Sequence, residues 1–160
     1  MEEYLATSYR PDCDYIDGQV LERNVGEWIH STLQALIAGY FVARRKQWGI
    51  QVATEQRVQV TTKRFRIPDV CVILGKTEEQ ILTTPPFLCI EILSPEDRMS
   101  RVEERIDDFL AMGVPYVWLL DPATRRAYTA TAAEGLREVK SGILKTENPA
   151  LEMPLFEIFE

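Results

Sequence analysis

The chain has 160 residues, of which 46% are hydrophobic and 27% are charged, and these values suit one globular domain over residues 1–160. The formal net charge of −7 argues against a broadly basic nucleic-acid-binding surface, because Lys and Arg make most phosphate contacts. Any contact with nucleic acid would therefore depend on a local basic patch.

The sequence favours a cytoplasmic protein without membrane contact. Its longest apolar runs, such as Val114 to Leu120, are too short to span a membrane. Residues 1–3 are Met-Glu-Glu and lack the basic and apolar regions of a secretion signal. The cysteines do not have the Cys-x-x-Cys spacing of a zinc ribbon; they are Cys13, Cys71 and Cys89.

The first half of the chain predicts a hairpin, a helix and a strand. Asp17-Gly18 lies between two apolar-rich runs, which is typical of a two-residue type I′ turn. Apolar residues recur at helical spacing from about Gly26 to Gln47, and Gly49 suits the end of that helix. The lone histidine, His30, lies in this helix, where packing or hydrogen bonding is the ordinary role. Residues 50–61 alternate as one strand.

The second half predicts two apolar strands, an amphipathic helix, a buried strand and an outer hairpin. Ser94 suits a helix cap and Pro95 the first helical position. Gly113 suits the end of this helix, and Val114 to Leu120 has the apolar character of a buried strand. The outer hairpin is predicted over residues 126–130 and 136–139, and the apolar tail is expected to pack as a closing segment.

The two apolar strands each carry one carboxylate, Asp69 and Glu91. Strand interiors disfavour acids, and a buried charge is costly unless it is paired or bound to metal. If the strands form an antiparallel hairpin with Asp69 opposite Glu91, Cys71 lies opposite Cys89. Two neighbouring carboxylates repel unless a cation lies between them, and Mg²⁺ takes such oxygen ligands. The residues alone therefore predict a Mg²⁺ site on a sheet.

The segments 67–70 (Ile-Pro-Asp-Val) and 90–95 (Ile-Glu-Ile-Leu-Ser-Pro) resemble the PD-(D/E)XK nuclease superfamily. From Tyr15 to Phe159 the chain is more closely similar to a family of small bacterial proteins grouped as restriction endonucleases. Further positions that match this family are Ile16-Asp17-Gly18, Glu22, His30, Asp97-Arg98, Arg105, Gly113-Val114, Trp118 and Asp121-Pro122.

The resemblance implies an α/β (α+β) protein of the restriction-endonuclease-like fold. Its mixed central sheet would be flanked by helices and preceded by an N-terminal β-hairpin. Asp69 and Glu91 would hold Mg²⁺ or Mn²⁺, and Glu22 would be the additional acid that this superfamily often has. The implied activity is phosphodiester hydrolysis in DNA, and a homodimer is implied because double-strand cutters often dimerise.

The third catalytic element departs from the superfamily pattern. Two residues past Glu91, where the superfamily usually has Lys, the chain has Leu93. In the closer family this Lys lies on the following helix, and Arg105 takes its position here. Arg keeps the positive charge but differs from Lys in shape and stays protonated. Two functions therefore stay open: an active endonuclease, or a catalytically weak or inactive nuclease-fold module that binds nucleic acid or a protein partner.

Several arginines could supply the local basic patch. Arg98 and Arg105 are seven residues apart on one edge of the helix, and they could reach the face that carries Asp69 and Glu91. We expect nucleic-acid contacts at Arg66, Arg98 and Arg101, whereas residues 44–46 suit a solvated surface. Paired carboxylates also serve glycosidases, but the arginines favour an anionic substrate over a sugar.

Overall fold

The computed structural model describes residues 1–23 and 27–159. Its helices are α1 (Glu2–Ala6), α2 (Trp28–Ala43), α3 (Arg45–Trp48) and α4 (Met99–Met112). Its strands are β1 (Asp14–Ile16), β2 (Gln19–Leu21), β3 (Ile50–Thr54), β4 (Val58–Thr61), β5 (Arg64–Arg66), β6 (Val70–Leu74), β7 (Leu88–Ile92), β8 (Tyr116–Asp121), β9 (Arg126–Thr131), β10 (Gly135–Glu138), β11 (Ile143–Lys145) and β12 (Glu152–Pro154).

A six-stranded mixed sheet forms the centre, with the strand order β10-β9-β8-β7-β6-β3. Neighbouring strands are antiparallel except β7 and β8, which run parallel. A parallel pair needs a crossover connection, and α4 provides it between β7 and β8. The site strands β6 and β7 therefore lie in the interior of the sheet.

Helices cover both faces of this sheet. On one face Leu33, Ile37 and Phe41 of α2 belong to a buried cluster with Ile90 and Trp118. Burying one large apolar side chain contributes roughly 1.5–3 kcal/mol, so such a cluster holds the helix firmly against the sheet.

The other face packs against α4. Val102, Ile106 and Phe109 join a second buried cluster that includes Cys89 of β7. Glu91 is two residues from Cys89 in the same strand, and side chains alternate along a strand. Glu91 therefore has its side chain on the α4 face.

A second, four-stranded sheet has the order β2-β1-β5-β4. It is supported by an aromatic cluster of Tyr4, Tyr15 and Phe65. Its strand β5 is also tied to α4, because Arg66 Nε donates to Asp108 Oδ2 at 2.8 Å. These contacts place the N-terminal hairpin beside the end of the central sheet where the candidate site lies.

The predicted hairpin register is confirmed. Cys71 pairs with Cys89, and Val70 pairs with Ile90. All three cysteines are free thiols. Asp69 comes directly before the first residue of β6, so its side chain lies at the strand end rather than inside the strand. The N-terminal Asp-Gly turn is also confirmed, with φ of 49° at Asp17 and 95° at Gly18.

Two predicted boundaries in the first half are wrong. Residues 50–61 form two strands, because Glu55 has a φ of 50° and the chain leaves the central sheet there for the second one. The first helix is interrupted at Arg44, which ends α2 and precedes the short α3. Gly49 ends α3 in the left-handed conformation, as predicted. Gly26, the predicted start of the first helix, lies outside the described residues.

The predicted start of the second long helix is also wrong. Its first residue is Met99, and Arg98 rather than Ser94 is the cap position. The Asp97 carboxylate accepts a hydrogen bond from the Ser94 N–H at 2.8 Å. This bond stabilises a turn over Pro95 and Glu96, where the sequence predicts a first helical turn. The end at Gly113 is confirmed.

The outer hairpin of β9 and β10 is confirmed, and the tail closes the fold through the small β11–β12 sheet. Within the described residues, no helix has both the length and the apolar character needed to cross a membrane.

Candidate active site

The two carboxylates lie at the same end of β7. Asp69 and Glu91 are each only 2% exposed. The Ile92 N–H donates a hydrogen bond to Asp69 Oδ2 at 2.8 Å. Because Ile92 follows Glu91 directly, this bond ties the Asp69 side chain to the strand that carries Glu91.

Asp69 is surrounded by groups that favour its ionised form. Arg23 Nη2 donates to Asp69 Oδ1 at 3.1 Å, and His30 Nε2 lies 3.4 Å from Asp69 Oδ2. Burial opposes ionisation, but the His30 contact, the Arg23 charge and the Ile92 N–H together hold the pKa of Asp69 below its usual value. Gln34 Nε2 also donates to the Asp69 carbonyl at 3.0 Å.

The same contact shifts the pKa of His30 in the opposite direction. Burial would lower its pKa, but the contact with Asp69 outweighs burial and raises the pKa above the usual value. The Nδ1 atom of His30 is buried and has no hydrogen-bond partner among the described residues. His30 therefore supports Asp69 from α2 through Nε2.

Glu91 is less well satisfied than Asp69. Its Oε2 lies 3.9 Å from Arg105 Nε, and its Oε1 is buried without a hydrogen-bond partner in the described part of the chain. Burial raises the pKa of Glu91 to about 8, against the opposing charge of Arg105 and with a further upward effect from Asp69. Glu91 is thus a buried acid with unused acceptor capacity.

Arg105 lies beside the carboxylates, as its helix position predicts. Its Nη2 is 3.6 Å from Asp97 Oδ1, and its Nε is buried without a hydrogen-bond partner in the described residues. The guanidinium is therefore loosely held between Asp97 and Glu91. Its part in any chemistry stays a prediction.

A cleft of about 760 Å³ opens over these groups. Glu22, Arg98 and Arg101 are exposed residues that line it. Within residues 1–23 and 27–159, none of these three side chains forms an ion pair. Arg98 and Arg101 therefore present available positive charge near the carboxylates, and Glu22 presents an additional acid.

Arg66 occupies a different kind of position. It is 5% exposed, and its guanidinium contacts Asp14 at 3.1 Å, Glu104 at 3.3 Å and Asp108 at 2.8 Å. With its charge compensated by three carboxylates, Arg66 is poorly suited to the predicted nucleic-acid contact. Its position instead suits joining the second sheet to α4 at the edge of the cleft.

Arg23 and Gln34 were not predicted as site residues. Gln34 could have been found, because it lies four residues after His30 and therefore on the same side of the helix. Arg23 follows a short exposed strand, and neither its spacing nor its neighbours distinguishes it from a surface arginine. Its approach to Asp69 depends on how the two sheets meet.

The donor set fits a hard divalent cation. Asp69 and Glu91 offer carboxylate oxygens, and Glu91 Oε1 has unused acceptor capacity. Among the described residues, no group of three or more His, Cys, Asp or Glu side chains is arranged to hold a metal. Mg²⁺ does not need such a cage, because it is commonly bound by one or two carboxylates with water and substrate phosphate completing the shell.

Comparison with known families identifies the family of this chain. A family profile described as "Uma2: Putative restriction endonuclease" matches residues 1–158. The chain belongs to the Uma2 family. The match covers the carboxylates, the cleft arginines and the three sheets described above, so the predicted resemblance to the restriction endonucleases is confirmed.

A similar fold is found in the crystal structure of a putative nuclease belonging to DUF820 from Anabaena variabilis. The TM-score is 0.84 at 22% identity, and the match covers 99% of this chain and 96% of the other. This likeness confirms the predicted fold class. Among curated proteins, none gives a significant sequence match.

Proposed function

We propose that this Uma2-family chain is a metal-dependent endonuclease that hydrolyses phosphodiester bonds in DNA. Asp69 and Glu91 would hold Mg²⁺, or Mn²⁺ in its place. The family description and the restriction-endonuclease-like fold support nuclease chemistry, and the arginines in the cleft support an anionic substrate.

The observation that carries the proposal is the unused Glu91 Oε1 beside the ordered carboxylate of Asp69. A buried acceptor without a partner costs roughly 1–3 kcal/mol, and more when it is charged. A metal ion would satisfy that oxygen and relieve the repulsion between the two acids. Costly arrangements of this kind are typical of functional sites.

Each residue has a separate task in this proposal. Asp69 is kept ionised and oriented by the Ile92 N–H and by His30. Arg105 would leave Asp97 to contact the scissile phosphate, and Arg98 and Arg101 would bind neighbouring phosphates. Glu22 would be the additional acid at the cleft. When bound, the metal would neutralise phosphate charge and lower the pKa of a water molecule.

The alternative is a catalytically weak or inactive module that binds nucleic acid or a protein. Two observations favour it: Leu93 stands at the usual Lys position, and Arg23 and Arg105 already oppose the carboxylates without metal. Thermal melting in Mg²⁺ or Mn²⁺ separates the two functions. An active site should give a metal-dependent rise in melting temperature that Asp69→Asn abolishes, whereas a module without a metal site should give none.

The direct test is a cleavage assay on supercoiled DNA, linear DNA and RNA in Mg²⁺, in Mn²⁺ and in chelator. We expect Asp69→Asn and Glu91→Gln, which preserve side-chain shape, to reduce cleavage by at least about a hundredfold, on the scale of one lost transition-state contact. Asp107→Asn is a matched control, because Asp107 is an exposed α4 acid. Equal cleavage by all variants would refute the assignment of the two ligands.

A further inference from the structure

The shorter of the two contacts that Asp69 makes with a basic side chain is with Arg23. The two groups are joined through Nη2 and Oδ1 at 3.1 Å, and Nη1 of Arg23 lies 3.6 Å from the exposed Glu55. The Arg23 side chain is 17% exposed and lines the same cleft as the two carboxylates. Arg23 is therefore a cation held inside the site by one candidate metal ligand.

Each of the two acids already faces an arginine without a metal ion. Asp69 faces Arg23 at 3.1 Å, and Glu91 faces Arg105 at 3.9 Å. If both acids are ionised, these four side chains sum to zero. With a divalent cation bound to both ionised acids, these four side chains and the cation would sum to +2, and buried charge is costly unless it is compensated. A phosphate group would supply that compensation.

Arg23 is able to exchange one anion for another. A guanidinium has five N–H donors, and among the described residues only one hydrogen bond uses them, the bond to Asp69. Its second contact, with Glu55, is longer and involves an acid that is 51% exposed. Such a group can form a bidentate pair with a phosphate once another cation binds Asp69 in its place.

We propose that Arg23 is a built-in counter-ion that competes with the metal for Asp69 and then binds the phosphate of the nucleic acid. This inference rests on the proposed function and adds a regulatory property to it. The metal-free protein binds a divalent cation weakly, and nucleic acid and metal strengthen each other's binding. By linkage, the factor by which nucleic acid increases metal affinity equals the factor by which metal increases nucleic-acid affinity.

The test measures the Mn²⁺ dissociation constant by calorimetry, with and without an uncleavable phosphorothioate DNA duplex. Without DNA, Arg23→Met should bind Mn²⁺ about tenfold more tightly than the unmodified protein, which corresponds to roughly 1.4 kcal/mol of removed competition. With DNA, the gain in Mn²⁺ affinity should be smaller in Arg23→Met than in the unmodified protein. Arg23→Lys, which keeps the charge, should lie between them in both measurements.

Arg137→Met is the charge-matched control, because Arg137 is 63% exposed and lies in β10, on the outer hairpin. Its Mn²⁺ affinity should match that of the unmodified protein within about twofold, well below the roughly tenfold change expected for Arg23→Met. If Arg23→Met does not fold, Arg23→Lys carries the test.

Two failures can be told apart. If the unmodified protein binds Mn²⁺ and neither Arg23 variant binds it more tightly, Arg23 is only a structural partner of Asp69 and this inference is overturned. If the unmodified protein binds no Mn²⁺ even with DNA, the proposed metal-dependent function itself fails.

Discussion

At the scale of single residues, the site is defined by the contrast between its two acids. Asp69 accepts an N–H bond and contacts two basic side chains, Arg23 and His30. Glu91 has one distant arginine and an unused oxygen. The sequence predicted both acids because carboxylates are unusual in apolar strands. It did not predict Arg23, since that contact joins residues 46 positions apart and depends on the packing of two sheets.

Arg105 provides the sharpest prediction at this scale. Because its guanidinium lies beside Glu91, Arg105→Ala should reduce DNA cleavage by about tenfold or more, in the range of one lost charge-stabilising contact. Arg105→Lys should retain or increase cleavage, because Lys is the residue that the family pattern has at this helix position. Single-turnover cleavage rates in Mg²⁺ test both variants.

Equal rates for Arg105→Ala and the unmodified protein would remove Arg105 from the mechanism, and Arg98 would then be the next cation to substitute. If Arg105→Lys cleaves DNA and the unmodified protein does not, the arginine at this one position has inactivated the site.

At the scale of secondary-structure elements, local patterns predicted which segments form strands and helices better than where they end. The β6–β7 register followed from placing Asp69 opposite Glu91, which also sets Cys71 opposite Cys89. The start of α4 could not be predicted in this way. Ser94 and Pro95 are good helix-start residues, but Asp97 accepts the Ser94 N–H and stabilises a turn instead.

The ion pair between β5 and α4 should matter for stability. Asp108→Ala should lower the free energy of unfolding by about 1.5–3 kcal/mol, the scale of one lost hydrogen bond to a charged group, because Arg66 keeps Asp14 and Glu104 as partners. Arg66 has a side chain that is 6% exposed and would lose its 2.8 Å contact. Asp107→Ala changes the neighbouring exposed acid and should alter stability by less than about 0.5 kcal/mol. Urea denaturation measures both.

A loss of less than about 1 kcal/mol in Asp108→Ala would show that the pair behaves as a surface salt bridge, contradicting its role in joining the second sheet to α4.

At the scale of the whole molecule, the outer face of α2 is the feature that a monomer does not explain. The α2 segment contains no Asp, Glu, Lys or Arg. It nevertheless exposes Trp28 by 82%, Ile29 by 60% and Val42 by 40%. On a chain with a net charge of −7, an uncharged face is where a second copy can approach with least repulsion. The predicted homodimer therefore has a candidate interface.

We expect α2 to pack against α2 of a second copy. Gly39→Glu should then give monomers, because it places two acids within a shared apolar interface. The change should not disturb the fold, since a Cβ at Gly39 meets no atom within 4 Å and Glu favours helix more than Gly does.

Light scattering coupled to gel filtration measures the mass. Ala133→Glu is the control, because Ala133 is exposed in the turn between β9 and β10, and it should leave the dimer intact. A monomeric unmodified protein, or a dimer that survives Gly39→Glu, would exclude this interface.

The central claim is that Asp69 and Glu91 share one divalent cation. Anomalous diffraction from a crystal containing Mn²⁺ and uncleaved DNA tests it most directly. The account predicts a single strong peak between the two carboxylates, at about 2.0–2.2 Å from an oxygen of each, close to the distances of hard divalent ions. Arg23 should be turned from Asp69 toward a phosphate. A protein that cuts DNA while its Mn²⁺ peak lies away from Asp69 and Glu91 would contradict the account.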